Sequence, residues 1–178
     1  MKNYIIVLLF CFNFAFGQGK YLTRSGSLTF EASMPAFEEV KAKNESVTAI
    51  FNSGNGEIAV LALIRGFRFK NALMEEHFNE SYIESSQFPK ATFRGKIDTF
   101  VISHSQEVDL TGILEMHGVE KPVNTTAKYK LTDQEVIISG AFLVKASDFD
   151  IKIPKIVRNK VSDTVSIQFD LRLIKKSD

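Results

Sequence analysis

Cysteine and tryptophan are the residues this chain most lacks. Its single cysteine, Cys11, lies in an apolar N-terminal run, and there is no tryptophan at all. Without that run there is no cysteine for a disulfide framework or a thiolate metal site, so a hydrophobic core must hold the fold. Histidine is nearly as scarce: only His77, His104 and His117 occur, and none stands in an HExxH pair. Their spacing supports no zinc site. An excess of either charge is also missing. No polybasic run is present, which argues against nucleic-acid binding and suggests no electrostatic attachment to anionic lipid.

The first 17 residues read as a leader rather than as fold material. "MKN" is a short basic start, "YIIVLLFCFNFAF" is apolar, and Ala15 and Gly17 supply small residues before Gln18, which is the layout of a secretory signal peptide. The apolar run is shorter than the roughly 20 residues needed to cross a bilayer. Phe10 and Leu9 precede Cys11, so the small residues of a lipidation site are missing there. The expected arrangement is residues 1–17 as signal peptide and 18–178 as one domain, with a periplasmic or secreted destination. Removal of Lys2 with the leader leaves 21 basic and 21 acidic residues, a formal charge of zero. The remaining 161 residues suit a single domain with a sizeable core.

What is present is period-two alternation and phenylalanine. Of 16 phenylalanines, four lie in the leader and 12 remain. "SLTFEASM" sets Leu28, Phe30, Ala32 and Met34 on one face. "VTAIFN" and "EIAVLALI" flank a turn-forming "SGNG", the pattern of a hairpin. "EVDLTGILEM" aligns Val108, Leu110, Gly112, Leu114 and Met116; "VNTTAKYKL" alternates behind it; "VSIQFDLRL" turns Val165, Ile167, Phe169, Leu171 and Leu173 inward. "EVIISGAFLV" is apolar on both faces and reads as a more covered strand. "NALMEEHFNESYIES" breaks the alternation. Asn71 can cap a short helix there, with Met74, Phe78 and Tyr82 on one stripe and Glu75, Glu76, Asn79 and Glu80 on the wetter side. "SDFDIKIPKIVRNK" reads as a long, partly irregular connection. Roughly eight strands with hairpin links and one short helix predict an all-β antiparallel barrel or sandwich. Such a barrel is either filled by its side chains or holds a small apolar ligand, and periodicity does not separate the two.

The polar residues offer little chemistry. There is no G-x-S-x-G elbow, and Ser103-His104-Ser105 are only neighbours in sequence. Asp148 and Asp150 would share a face if they lay on a strand, but a solvated loop, or contacts with Arg158 and Lys160, is the simpler expectation. "SGNGE" lacks the Lys-Ser/Thr ending of a phosphate loop. His117, at the end of "LTGILEMHG", reads as a turn residue on the face opposite Leu114 and Met116. His77 lies beside the apolar stripe of the helix, placed for a helix–barrel contact or a ligand contact.

Three segments together resemble the YceI family of exported lipocalin-like proteins. "NALMEEHFNESYIESSQFPKATFRGKI" is similar to its histidine-bearing helix, aromatic-proline and strand. "VDLTGILEMHGVEKPV" is similar to its strand–His-Gly–strand segment, and "SGAFLVKASDFDIKIP" to its later strand and Asp-Phe-x-Ile. The likeness runs from about Leu28 to Leu173. It implies an antiparallel lipocalin-like β-barrel whose lumen takes a long apolar chain, a polyisoprenoid or isoprenoid quinone, as cargo. No cofactor is required, and transient membrane contact is the further partner expected; no oligomeric state is implied. Glu75 and Glu76 stand where the more familiar pattern has Asp or Arg before the histidine, so head-group contacts do not carry over. The candidate ligand-contact set is Phe30, His77, Phe78, Leu110, Leu114, Met116, Ile167, Phe169 and Leu171, with no catalytic and no metal residue. The alternatives are a hydrolase-like envelope enzyme using His77 or His117 with a carboxylate on a lipid or amide, and an envelope protein-interaction scaffold.

Overall fold

The structure, a computed structural model, describes residues 19–35, 37–97, 105–132 and 134–176. The expected signal peptide and His104 lie outside these residues. Long alternating segments form β1 (Lys20–Ser33), β2 (Lys41–Asn52), β3 (Glu57–Leu63), β5 (Lys90–Ile97), β6 (Gln106–Met116), β7 (Val119–Leu131), β8 (Glu135–Lys145) and β9 (Val161–Lys175), with β4 a two-residue bridge at Arg68–Phe69. Every pairing is antiparallel, and apart from the short β4 and the closing β1–β9 pair each strand pairs with its neighbours in chain order. The sheet closes because β1 pairs with both β2 and β9, giving an eight-stranded barrel with β4 appended to β2. Closure removes the free edges that an open sheet would leave for aggregation.

Turn chemistry sets the register. The expected hairpin between β2 and β3 forms, with Asn52 Oδ1 accepting from Gly54 N at 2.9 Å and Gly56 at φ +76°. The β6–β7 hairpin is tighter: Met116 faces Val119 across a two-residue loop in which His117 (φ 53°) and Gly118 (φ 75°) are both left-handed. Two successive positive-φ residues define a type I′ turn, whose twist matches that of the strands.

Two sequence expectations change here. β1 begins at Lys20, earlier than the alternation from Ser27 suggested. Register shifts between Thr23 and Gly26 and between Gly26 and Leu28 move the inward face from Tyr21 and Thr23 to Gly26, Leu28 and Phe30, which breaks the visible period. β8 is not a covered strand, because Leu143 on its outer face is 69% exposed.

The barrel interior divides into two halves. The end bearing the N-terminus of β1 is packed solid: Tyr21, Phe51, Tyr129, Val136, Ile138 and Leu173 are buried, with the Phe51 and Tyr129 rings 5.9 Å apart. Burial, with Tyr21 close by, pushes the Tyr129 phenol well above its ordinary pKa of 10.0. At the other end gather residues 34–35 and 37–40 between β1 and β2, the helical insertion between β3 and β5, the β6–β7 hairpin and the 146–160 connection. Buried Asn44 clips this insertion down. Its Nδ2 donates to the Leu63 carbonyl at 3.0 Å, while its Oδ1 accepts from the Ser46 amide and hydroxyl at 2.9 and 2.8 Å.

Candidate lipid site in the barrel lumen

The upper half of the barrel is hollow. A cavity of about 410 Å³ opens towards the helical insertion, within the range of about 300–1,000 Å³ typical of small-molecule pockets. Its walls are inward residues of the strands. All nine sequence-predicted contact residues reach it: Phe30, Leu110, Leu114, Met116, Ile167, Phe169 and Leu171 from the strands, His77 and Phe78 from the insertion. Leu110, Leu114, Phe169 and Leu171 are buried, whereas Phe30, Phe78, Met116 and Ile167 are half-buried and His77 is exposed at the mouth.

The insertion is placed by a cap and an aromatic cage. Asn71 Oδ1 accepts from Leu73 N and Met74 N at 2.9 and 3.3 Å, starting α1 (Ala72–His77) as its sequence predicted. The helix is shorter than its apolar stripe. It widens into a π-helical turn over Phe78–Tyr82, where Ile83 N donates to the Phe78 carbonyl. Met74, Phe78 and Tyr82 nevertheless all face the lumen. Phe78 is gripped by Phe30, Phe67 and Phe69, with ring centroids 5.2, 6.2 and 5.2 Å away. Offset and edge contacts of this kind contribute about 0.5–1.5 kcal/mol each beyond burial. Glu75, expected on the wetter side, is instead half-buried. Its carboxylate accepts from Arg68 Nη1 at 3.0 Å and from Phe69 N at 3.1 Å, fastening α1 to β4.

Phe67, Phe69 and Phe93 also line the cavity and were not in the predicted set. The alternations "GFRFK" and "ATFRG" held the signal. Phe93 lies over a glycine floor: Gly95 and Gly112 face each other across β5 and β6, and a Cβ on either would come within 2.6 Å of the Phe93 ring.

The charged, amide and imidazole groups of the lining, Glu38, Asn71, His77 and Lys160, are exposed, whereas Thr29, Thr92 and Thr125 place hydroxyl-bearing side chains among the apolar walls. Lys70 Nζ and Glu39 Oε2 stand 2.7 Å apart, and Asn71 Nδ2 donates to Glu38 Oε1 at 3.1 Å, joining Glu38 and Glu39 to the start of α1. The Lys70 ammonium holds the Glu39 carboxyl below its ordinary range.

His117 takes no part in the lumen lining. Its side chain is 8% exposed; Nδ1 lies 2.9 Å from the Phe149 carbonyl and Nε2 lies 3.2 Å from Glu84 Oε2. Its ring centroid is 4.2 Å from that of Phe88. Glu84, His117 and Asp150 are the non-glycine residues with positive φ among the described residues. A left-handed backbone costs of order 1 kcal/mol at such residues. One imidazole thus ties two of these segments to the third, since Phe149 precedes Asp150. With both nitrogens engaged and the ring outside the cavity, His117 is a staple rather than a base facing a substrate. Asp148 and Asp150 lie on a 3₁₀ turn and the left-handed residue that ends it, so strand-like pairing of the two is lost. Both carboxylates are exposed, as the solvated-loop alternative expects, and the other alternative, contact with Arg158 and Lys160, is not the one adopted. Arg158 donates to the Ile153 carbonyl, and Lys160 reaches the cavity rim. No group of metal-binding side chains occurs among the described residues.

A closed antiparallel barrel with a short helical insertion over an apolar lumen defines a lipocalin-like binding barrel. The sequence profile of the YceI-like domain matches residues 20–173, and the chain belongs to that family. Similar solved structures include a polyisoprenoid-binding domain from Saccharophagus degradans. It has 17% identity and a TM-score of 0.76, and the match covers 89% of this chain and 99% of that one. BcnA of Burkholderia cenocepacia matches at 16% identity and a TM-score of 0.69, over 84% and 96% of the two chains. A Campylobacter jejuni YceI protein matches at 19% and 0.65, over 81% and 90%. No curated protein sequence matches.

Proposed function

We propose that the protein binds a long apolar lipid, an isoprenoid chain, in its lumen and stores or carries it without making or breaking bonds. The observation that carries this reading is the hollow half of the barrel, walled mainly by leucine, isoleucine, valine and phenylalanine with a few threonines and with the exposed charged side chains Glu38 and Lys160. The polyisoprenoid-binding domain of the same family and fold supports the ligand class. Each methylene moved from water into such a lumen contributes roughly 0.8 kcal/mol before ordering costs. A tail therefore needs few polar contacts, and the exposed His77 is the side chain best placed to meet a polar end group. The enzyme alternative gains nothing from His117, and His77 makes no hydrogen bond to a carboxylate among the described residues. Any bound quinone is cargo under this reading, and no resident cofactor is needed.

The leader-like N-terminus supports export followed by cleavage after Gly17, which intact-mass measurement of the secreted or periplasmic protein tests. Binding is tested by titrating a dansyl-labelled geranylgeranyl probe into wild type, Ile167→Asp and Phe169→Asp. Ile167 faces the lumen and is only half-buried, so a carboxylate there can hydrate while making the lumen hostile to hydrocarbon. Loss of binding in a folded Ile167→Asp barrel is expected. Unchanged occupancy in that variant contradicts the lumen as the site.

A further inference from the structure

The lumen opens between three segments, and each presents one apolar side chain to solvent beside a lining residue. Phe37 adjoins Glu38 and is 45% exposed; Leu73, itself a lining residue, is 58% exposed; Ile156 adjoins Val157 and is 85% exposed. Single exposed apolar residues are ordinary on a protein surface, but three around one opening are not scattered.

The charge around the opening is divided. The α1 side carries Glu75, Glu76 and Glu80, whereas "KIPKIVRNK" at 152–160 carries Lys152, Lys155, Arg158 and Lys160 and no acid. All four cations are exposed, and none is ion-paired among the described residues. The same segment turns Ile151, Ile153 and Val157 into the lumen. It is thus a strap with an apolar inner side, an apolar tip at Ile156 and unpaired cations on either side of that tip. Linear sequence concealed this, because the cations are spaced out by apolar residues rather than forming a polybasic run.

From this arrangement we infer that the mouth docks on an anionic lipid bilayer, with Ile156 entering the headgroup boundary and the four cations meeting lipid phosphates. The inference rests on the reading of the lumen as a lipid site, and it names the surface from which that site exchanges cargo. Apolar tips flanked by lysine and arginine suit the bilayer interface, where hydrocarbon burial and attraction to anionic headgroups act together. A water-soluble protein partner would have no need of an opening continuous with an apolar lumen. An acidic protein groove would nonetheless share the charge chemistry, so the experiment includes it.

The full protein is mixed with vesicles of phosphatidylcholine alone or with about one-third phosphatidylglycerol, and binding is read by flotation. Wild type is expected to float with the anionic vesicles, less so at high salt. Ile156→Ser and the double variant Lys152→Glu/Lys155→Glu are each expected to lose about tenfold in binding. Both substitutions fall on exposed positions, and both variants should take up the dansyl-geranylgeranyl probe from detergent as wild type does. Absence of wild-type flotation, or variants that float like wild type, overturns the docking. Capture of a protein through this edge without vesicle binding overturns it as well. Vesicle binding that depends on Ile156 while the soluble probe is refused by wild type upholds the docking and removes the lumen reading instead.

Discussion

Replacing His117 by alanine separates a structural histidine from a chemical one. The substitution removes the contact to the Phe149 carbonyl at 2.9 Å, the contact to Glu84 at 3.2 Å and the packing on Phe88 at 4.2 Å. A hydrogen bond contributes about 0.5–1.5 kcal/mol net, and an aromatic contact about the same. The Glu84 bond belongs at the low end, because that carboxylate is 44% exposed and can be hydrated instead. The sum is a loss of about 1.5–3.5 kcal/mol, or roughly 3–14 °C in melting temperature for a domain of this size. Alanine also sits poorly at φ 53°, whereas asparagine tolerates the left-handed region. His117→Asn should therefore keep the hairpin and recover about 1 kcal/mol without restoring the staple. Thermal unfolding followed by circular dichroism gives the losses, and the dansyl-geranylgeranyl titration at 20 °C gives binding. A melting temperature within 1–2 °C of wild type would refute the staple. Full stability with lost binding would make His117 a ligand residue.

Other consequences of the structure are as direct. Gly112→Ala places a Cβ about 2.5 Å from the Arg94 carbonyl and the Phe93 ring; overpacking of this kind costs about 1–3 kcal/mol, measurable as a lower denaturant midpoint. Asn71→Ala should cost about 1 kcal/mol within the insertion, with faster amide exchange over residues 72–82 and little change in the barrel strands. The folded-state pKa of Tyr129 is raised above its ordinary 10.0, so its contribution to stability is full below that pH and lost as pH rises beyond it. Denaturant midpoints should hold level up to about pH 10 in this respect and then fall, in step with tyrosinate absorbance. Tyrosinate formation at pH 10 in the intact barrel, matching the unfolded chain, would contradict the burial of this phenol.

Much of the barrel was legible because a strand wall carries its own period. Leu28 and Phe30, Leu110 and Leu114, and Ile167 to Leu171 alternate without interruption, and each set does face the interior. The capped start of the insertion was legible in Asn71 for the same local reason. Features that depend on two distant segments were not. The partners of His117 lie 33 and 32 residues away, so no window around the histidine contains them. The bulges of β1 arise from pairing with β2 and β9, and they erase the alternation that would have announced Tyr21 and Thr23. Core and cavity look identical along a strand. Phe51 and Tyr129 fill the space between them at one end, while Phe30, Phe93 and Ile167 leave a gap at the other. That difference is one of three-dimensional volume, which no periodicity records.

The central claim is that the lumen is a lipid site, and it is tested most directly by what the protein carries when purified from its native cells without detergent. Organic extraction and mass spectrometry of the folded protein should yield an isoprenoid lipid in near-stoichiometric amount, absent from an Ile167→Asp preparation made in parallel. An empty barrel that also refuses long-chain isoprenoids on titration would contradict the account.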